Sequence, residues 1–143
     1  KGIPLATATA AALSQQHHRD VAFAFNRKEA KDHGEGGEVI GAPLRGRVVI
    51  IDDVITAGLS VEESVRIIHA AGAKPVAVAI ALDREEKMST SDQSAVAEVE
   101  AQYDFPVHAI AHFSTLVSYL SNESDHARYV PAMTAYRARY GSR

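Results

Sequence analysis

Two adjacent carboxylates, Asp52 and Asp53, follow Val48-Val49-Ile50-Ile51 and precede Val54-Ile55-Thr56-Ala57-Gly58-Leu59-Ser60. Four consecutive β-branched residues read as a strand buried on both faces. The acid pair then stands at the strand's carboxyl end, where ligands of open α/β sheets bind. Behind it, the Thr-Ala-Gly turn exposes backbone N–H groups at the start of a helix, whose dipole favours an anion. Thr56 adds a hydroxyl donor, and Gly58 permits close approach of backbone to a phosphate. Carboxylates beside a phosphate site need a purpose of their own. They can accept hydrogen bonds from sugar hydroxyls, or hold a divalent cation that also touches phosphate. An acid pair can also do no more than cap the following helix. The β-branched run ahead of it and the Thr-Ala-Gly turn behind it favour a ligand.

Three other places carry chemistry. The stretch Arg27 to Gly37, RKEAKDHGEGG, has no apolar face at either period and reads as a mobile loop. Its Arg27, Lys28, Lys31 and His33 are donors suited to a polyanionic leaving group, and Gly34, Gly36 and Gly37 give it freedom to close over a site. Glu29, Asp32 and Glu35, together with Glu38 just after it, slightly outnumber its Lys and Arg residues, so composition alone would leave it a solvated loop. Arg84 follows Leu82-Asp83 at the end of a second apolar run, and its planar fork suits a carboxylate. The plain alternative is a surface arginine at a strand end. Lys1 supplies a cation just ahead of a helix, beside Gly2 and Ile3. The histidines contribute less: His17 and His18 end a helix, and His69, His108, His112 and His126 have no metal-ligand spacing with acids.

The elements that must position these residues are legible from periodicity. Pro4 suits a first helical turn, and Leu5 to about Gln16 continues it. Val21 to Asn26 is a short strand, and another lies near Glu38 to Gly41, ended by Ala42-Pro43. A helix from Ser60 to Ala71 places Val61, Val65 and Ile68 on one face, with Glu62 and Glu63 pointing away and Gly72 as its stop. Pro75 to Leu82 is a second buried strand, so strand, helix and strand form a parallel βαβ unit. After a polar loop from Asp83 to Asp92, a helix from Ser94 to Tyr103 and a strand from Val107 to His112 repeat the alternation. A helix capped by Ser114 follows, then one near Pro131 to Tyr140 with Met133, Tyr136 and Tyr140 on a stripe. The expected class is α/β, with a mostly parallel sheet flanked by helices.

Bulk properties narrow the partners. The 143 residues, 46% of them hydrophobic, are enough for one domain with a core. A net charge of -3 gives no electrostatic case for nucleic acid or membrane. The absence of cysteine excludes disulfides, thiolate catalysis and Cys-based zinc sites. No apolar run approaches a membrane span and no signal peptide is evident, so a cytoplasmic location is expected. The chain opens on Lys1 rather than methionine and reads as a piece of something longer.

The stretch Arg47 to Ser60, RVVIIDDVITAGLS, resembles the phosphoribosyl-pyrophosphate (PRPP) signature of type I phosphoribosyltransferases. NRKEAKDHGEGG, from Asn26 to Gly37, is similar to the flexible catalytic loop of the orotate phosphoribosyltransferases, and Leu82-Asp83-Arg84 and Lys1-Gly2-Ile3 also resemble that branch. The resemblance runs from Lys1 to the C-terminus and implies one type I phosphoribosyltransferase core domain over residues 1–143, without the family's N-terminal segment. It further implies that Asp52 and Asp53 bind the ribose hydroxyls, that Val54, Ile55, Thr56, Ala57, Gly58, Leu59 and Ser60 wrap the 5-phosphate, and that Lys1 binds the pyrophosphate. Arg84, with Thr56, would bind orotate. Lys31, His33, Arg27 and Lys28 would serve the leaving group, from a loop that reaches across a homodimer into the neighbouring subunit. The implied reaction converts orotate and PRPP into orotidine 5'-monophosphate and pyrophosphate in pyrimidine (UMP) biosynthesis. Mg²⁺ would be held mainly through PRPP, with no direct protein ligands. Three rival readings fit less well: a response-regulator receiver domain, which the Thr-Ala-Gly turn does not suit; a non-catalytic regulator that binds PRPP or RNA, against which the net charge and basic loop argue; and a purine-specific relative, which should lack the loop string.

Overall fold

A computed structural model describes residues 2–26, 39–88 and 91–142. The β-branched and alanine-rich runs become three parallel strands: β3 (Arg47–Asp52), β4 (Lys74–Asp83) and β5 (Val107–His112), in the order β3-β4-β5. Between them run α2 (Leu59–Ala70) and α3 (Ala95–Tyr103). Before them come α1 (Gly2–His17) and a two-stranded antiparallel ribbon of β1 (Ala24–Asn26) and β2 (Val39–Gly41). After them come α4 (Phe113–Asn122), a 3-10 turn (Ala127–Tyr129) and α5 (Val130–Tyr140). The α/β class and the parallel, helix-flanked sheet expected from the alternation are both present.

One core explains why the connections take this form. Val61, Val65 and Ile68 of α2 and Ala95 and Val99 of α3 pack with Ile50 of β3 and Val78 and Ile80 of β4. Both crossover helices therefore cover the same sheet face. Val61, Val78 and Ile80 are fully buried, and each such side chain contributes about 1.5–3 kcal/mol relative to exposure. The register places Ile50 beside Val78 and Asp52 beside Ile80, so the acid pair begins where the core face ends.

Two expectations need correction. The run Val48 to Ile51 was expected to be buried on both faces, yet Val49 is 49% exposed. Val49 points away from the side packed by α2 and α3, and on the edge strand β5 the outward Ile110 is 87% exposed. β-branched composition records a preference for the pleated sheet, and does not by itself require cover on both faces. Ser114 is also not a cap of the usual kind. The residue preceding α4 is His112, with no side-chain cap, and Ser114 instead bonds through both its N–H and its hydroxyl to the carboxylate of Glu85. By contrast, Ser94 caps α3 as its position implies, accepting from the Ala97 N–H at 3.0 Å.

Candidate active site at the carboxyl edge of the sheet

β3 delivers Asp52 to the sheet edge with its carboxylate held at both oxygens. Oδ1 accepts the Asp53 N–H at 2.9 Å, and Oδ2 accepts the Ser60 hydroxyl at 2.9 Å. The second bond ties the strand end to the first turn of α2 across the intervening turn. Asp53 locks the neighbouring strand instead: its carbonyl accepts from the N–H groups of Ala81 and Leu82, at 3.0 and 3.1 Å. Both residues are half-buried.

The turn between β3 and α2 has a form that can take an anion. Gly58, immediately before α2, lies in the left-handed region at φ 72°, and no side chain caps the helix. The N–H groups of Leu59, Ser60 and Val61 thus precede the helical ladder, which starts with the Glu62 N–H on the Gly58 carbonyl at 2.9 Å, and the cap residue offers them no side-chain acceptor. Thr56 and Ala57 are exposed, and Ile55 is buried in the core. Any contact from Ile55 to a phosphate must therefore come from its backbone. The N-terminus of α1 closes the same end of β3. A Cβ on Gly2 would lie 2.7 Å from the Ile51 carbonyl oxygen and 3.4 Å from Asp52 Oδ1, so only glycine fits there.

Arg84 emerges one residue beyond β4, at the same edge. It is 35% exposed and ion-paired through a terminal nitrogen with Glu86, while its Nε is buried with no hydrogen-bond partner. A sealed, unbonded guanidinium N–H is unfavourable, so a further acceptor within reach of the fork would be favoured. Beside it, His112 Nδ1 lies 3.6 Å from Asp83 Oδ2. Among the described residues no group of three or more His, Asp or Glu could hold a metal ion. A divalent cation here would have to draw most of its oxygens from a bound ligand, with Asp52 or Asp53 as the nearby carboxylates.

The structure thus brings together Asp52, Asp53, the turn from Val54 to Ser60 and, on the adjoining strand, Arg84. Lys1, Arg27, Lys28, Lys31 and His33 lie outside the described residues. The stems of the intervening loop are described: Asn26 pairs with Val39, and the Asn26 amide donates to Glu63 of α2 at 3.3 Å. The β1–β2 ribbon therefore lies beside α2. Sequence reasoning missed three arrangements: Ser60 as a partner of Asp52, Glu85 as the clasp of α4, and the pair Glu86 and Tyr136 around Arg84. Only the first had a local signal, a hydroxyl in the first turn of the helix that follows the acids.

Comparison with known proteins agrees with this geometry. The phosphoribosyl transferase domain family matches residues 1–111. The chain is 55% identical over 141 residues to an orotate phosphoribosyltransferase of Thioalkalivibrio sulfidiphilus, and 60% identical over 148 residues to that of Herminiimonas arsenicoxydans. In both cases 99% of this chain aligns, and the chain spans 66% of the relative's length. The crystal structure of orotate phosphoribosyltransferase from Francisella tularensis superposes with a TM-score of 0.82 at 34% identity, covering 99% of this chain and 67% of that one. The acid pair, the uncapped turn and the parallel sheet beneath them therefore belong to a member of the phosphoribosyltransferase family, of the type I fold and similar to its orotate-specific branch.

Proposed function

We propose that this chain carries the catalytic core of an orotate phosphoribosyltransferase, which transfers the phosphoribosyl group of PRPP to orotate and releases pyrophosphate. One observation carries the reading: a carboxylate clamped by Ser60 stands over an uncapped helix N-terminus, with a half-satisfied arginine on the next strand end. The uncapped N–H groups of α2 take the 5-phosphate, and the helix dipole adds to the attraction. Asp52 and Asp53 accept from the ribose hydroxyls and orient the sugar carbon. Arg84 takes the carboxylate that distinguishes orotate from other pyrimidines, with Thr56 beside it. Attack by the base nitrogen as pyrophosphate departs gives an oxocarbenium-like transition state, so the protein's work is positioning and charge stabilisation. Mg²⁺, when bound with PRPP, neutralises the leaving group. Lys31 and His33, with Arg27 and Lys28, serve that group from the loop of the neighbouring subunit in a homodimer. The setting is cytoplasmic pyrimidine biosynthesis, in keeping with the lack of cysteine.

The full-length protein tests this. Orotate's ultraviolet absorbance should fall only when PRPP and Mg²⁺ are both supplied, with no turnover of adenine, hypoxanthine or uracil. Activity on a purine instead would remove the base assignment. Lys31→Ala should depress turnover far more than PRPP affinity. Dimers mixed from a Lys31→Ala chain and an Asp52→Asn chain should regain part of the activity if the loop acts in trans.

A further inference from the structure

The turn that presents Arg84 is held by more contacts than a strand-end loop requires. Glu85 sits at φ 53°, a left-handed conformation uncommon outside glycine, asparagine and aspartate. Such backbone persists where its surroundings over-determine it, and here they do. The Glu85 N–H donates to Asp83 Oδ1 at 2.8 Å, and its carboxylate accepts both the N–H and the hydroxyl of Ser114 on α4, at 3.0 and 2.6 Å. Its carbonyl accepts the Ser142 N–H at 2.8 Å, and the Lys87 N–H donates to the Tyr140 carbonyl at 2.9 Å. Glu86 and Gly141 form an antiparallel bridge between these two bonds. The segment carrying Arg84 is thereby fastened to β4, to α4 and to the end of α5.

The left-handed residue also sends consecutive side chains to different neighbours. Glu85 reaches α4, while Glu86 turns towards Arg84 and α5. The Glu86 carboxylate is occupied at both oxygens: Oε2 accepts from Arg84, and Oε1 accepts from the Tyr136 hydroxyl. Tyr136 is in turn fixed by its rings' neighbours, Phe113 at 5.8 Å and Tyr140 at 4.8 Å between centroids. Tyr136 is 38% exposed, so its hold on Glu86 rests on that hydrogen bond and on the two ring contacts, and with Arg84 on the other oxygen the carboxylate is held from both sides. Only 18% of the Glu86 side chain is exposed, which limits competition from water.

We propose that Glu86, braced by Tyr136 of the C-terminal helix, is a positioning residue that sets the Arg84 fork for the carboxylate of the base. The proposal rests on the reading that Arg84 takes the orotate carboxylate. It adds that specificity for a carboxylated base depends on a helix about fifty residues downstream, through a pair that touches no substrate. The relay acts on one functional group only. Ligands without the base carboxylate should therefore be indifferent to it.

The test uses the full-length enzyme and four chains: wild type, Arg84→Ala, Glu86→Gln and Tyr136→Phe. Glu86→Gln should raise the KM for orotate on the order of tenfold, the worth of one charge-assisted hydrogen bond. Tyr136→Phe should raise it less, about threefold, because the ion pair survives without its brace. In both, kcat and the KM for PRPP should stay near wild type. Affinity for orotidine 5'-monophosphate should fall in parallel, while that for uridine 5'-monophosphate, the same nucleotide without the carboxylate, should not change. Arg84→Ala separates the two layers of the argument. If it leaves orotate affinity intact, the base assignment fails and the relay with it. If Arg84→Ala weakens orotate binding but Glu86→Gln and Tyr136→Phe do not, the relay alone is wrong. A lower orotate KM in Glu86→Gln would overturn the relay too, since Glu86 would then be competing for the fork. Equal losses for both nucleotides would reduce Glu86 to a structural residue. Should Glu86→Gln fold poorly, Tyr136→Phe removes only a hydroxyl and decides the matter through the same nucleotide comparison.

Discussion

Ser60 offers a sharp test of how the sugar-phosphate site is built, because two roles for it predict different arithmetic. Position in the family motif puts Ser60 among the residues around the 5-phosphate, whereas the structure has its hydroxyl donating to Asp52 Oδ2 at 2.9 Å. A hydrogen bond to a charged group is worth about 1.5–3 kcal/mol when well shielded. Ser60 is exposed and Asp52 only half-buried, so solvent screening brings the expected loss in Ser60→Ala to about 1 kcal/mol. That corresponds to a rise in the KM for PRPP of about fivefold. The loss is bounded because the Asp53 N–H still holds Oδ1 at 2.9 Å. Asp52→Asn should cost more, roughly 2–3 kcal/mol, since it removes the charge that Ser60 addresses and that the proposed sugar hydroxyls would also address.

The double variant discriminates. If Ser60 acts by orienting Asp52, removing it after Asp52→Asn should change little, and the coupling in the cycle should equal nearly the whole effect of Ser60→Ala. If Ser60 instead binds phosphate on its own, the two losses should add. Initial rates of the full-length enzyme at saturating orotate and varied PRPP supply all four values. Additivity, or a Ser60→Ala enzyme with unaltered PRPP dependence, would refute the clamp.

Ile80 is 1% exposed between the two crossover helices, so Ile80→Ala should destabilise the full-length protein by about 2–5 kcal/mol, read as a lower urea midpoint at unchanged slope. The Tyr136 phenol has its pKa raised above 10.0, first by its hydrogen bond to Glu86, and the Tyr103 phenol is raised by burial and then by Glu62. A raised folded-state pKa gives stability that is complete below the unfolded value near 10.0 and lost as pH climbs through the folded value. Denaturation midpoints should therefore fall as pH rises above about 10, with a shallower slope in Tyr136→Phe, which lacks one of these two raised phenols.

How much of this was visible in the sequence depended on the range of each interaction. The run Val48 to Ile51 announces its strand because β-branched side chains suit a pleated surface, and a strand end followed by acids and Thr-Ala-Gly fixes its own local geometry. Helix α2 was legible for the same reason, since Val61, Val65 and Ile68 repeat at the helical period and all three are buried. Val49 was misread because composition reports what a strand tolerates, and what covers it depends on elements elsewhere. Arg84 could be singled out for its chemistry, but nothing nearby in the chain reveals what holds it.

That difference marks where this fold places its two kinds of recognition. On the proposed reading the phosphoribosyl part is local: Asp52, its backbone neighbour Asp53 and Ser60 span nine consecutive residues, so a short motif can carry the whole device. The part proposed to recognise the base is assembled from distance. Glu85 meets Ser114 across 29 positions, and Glu86 meets Tyr136 across 50. A local motif keeps its geometry when the rest of the chain varies, which suits the part of the substrate common to every phosphoribosyl transfer. A remote brace can be altered by changes in α4 or α5 without disturbing the motif. Base choice in this chain should therefore respond to substitutions in its C-terminal helices, while PRPP binding should not.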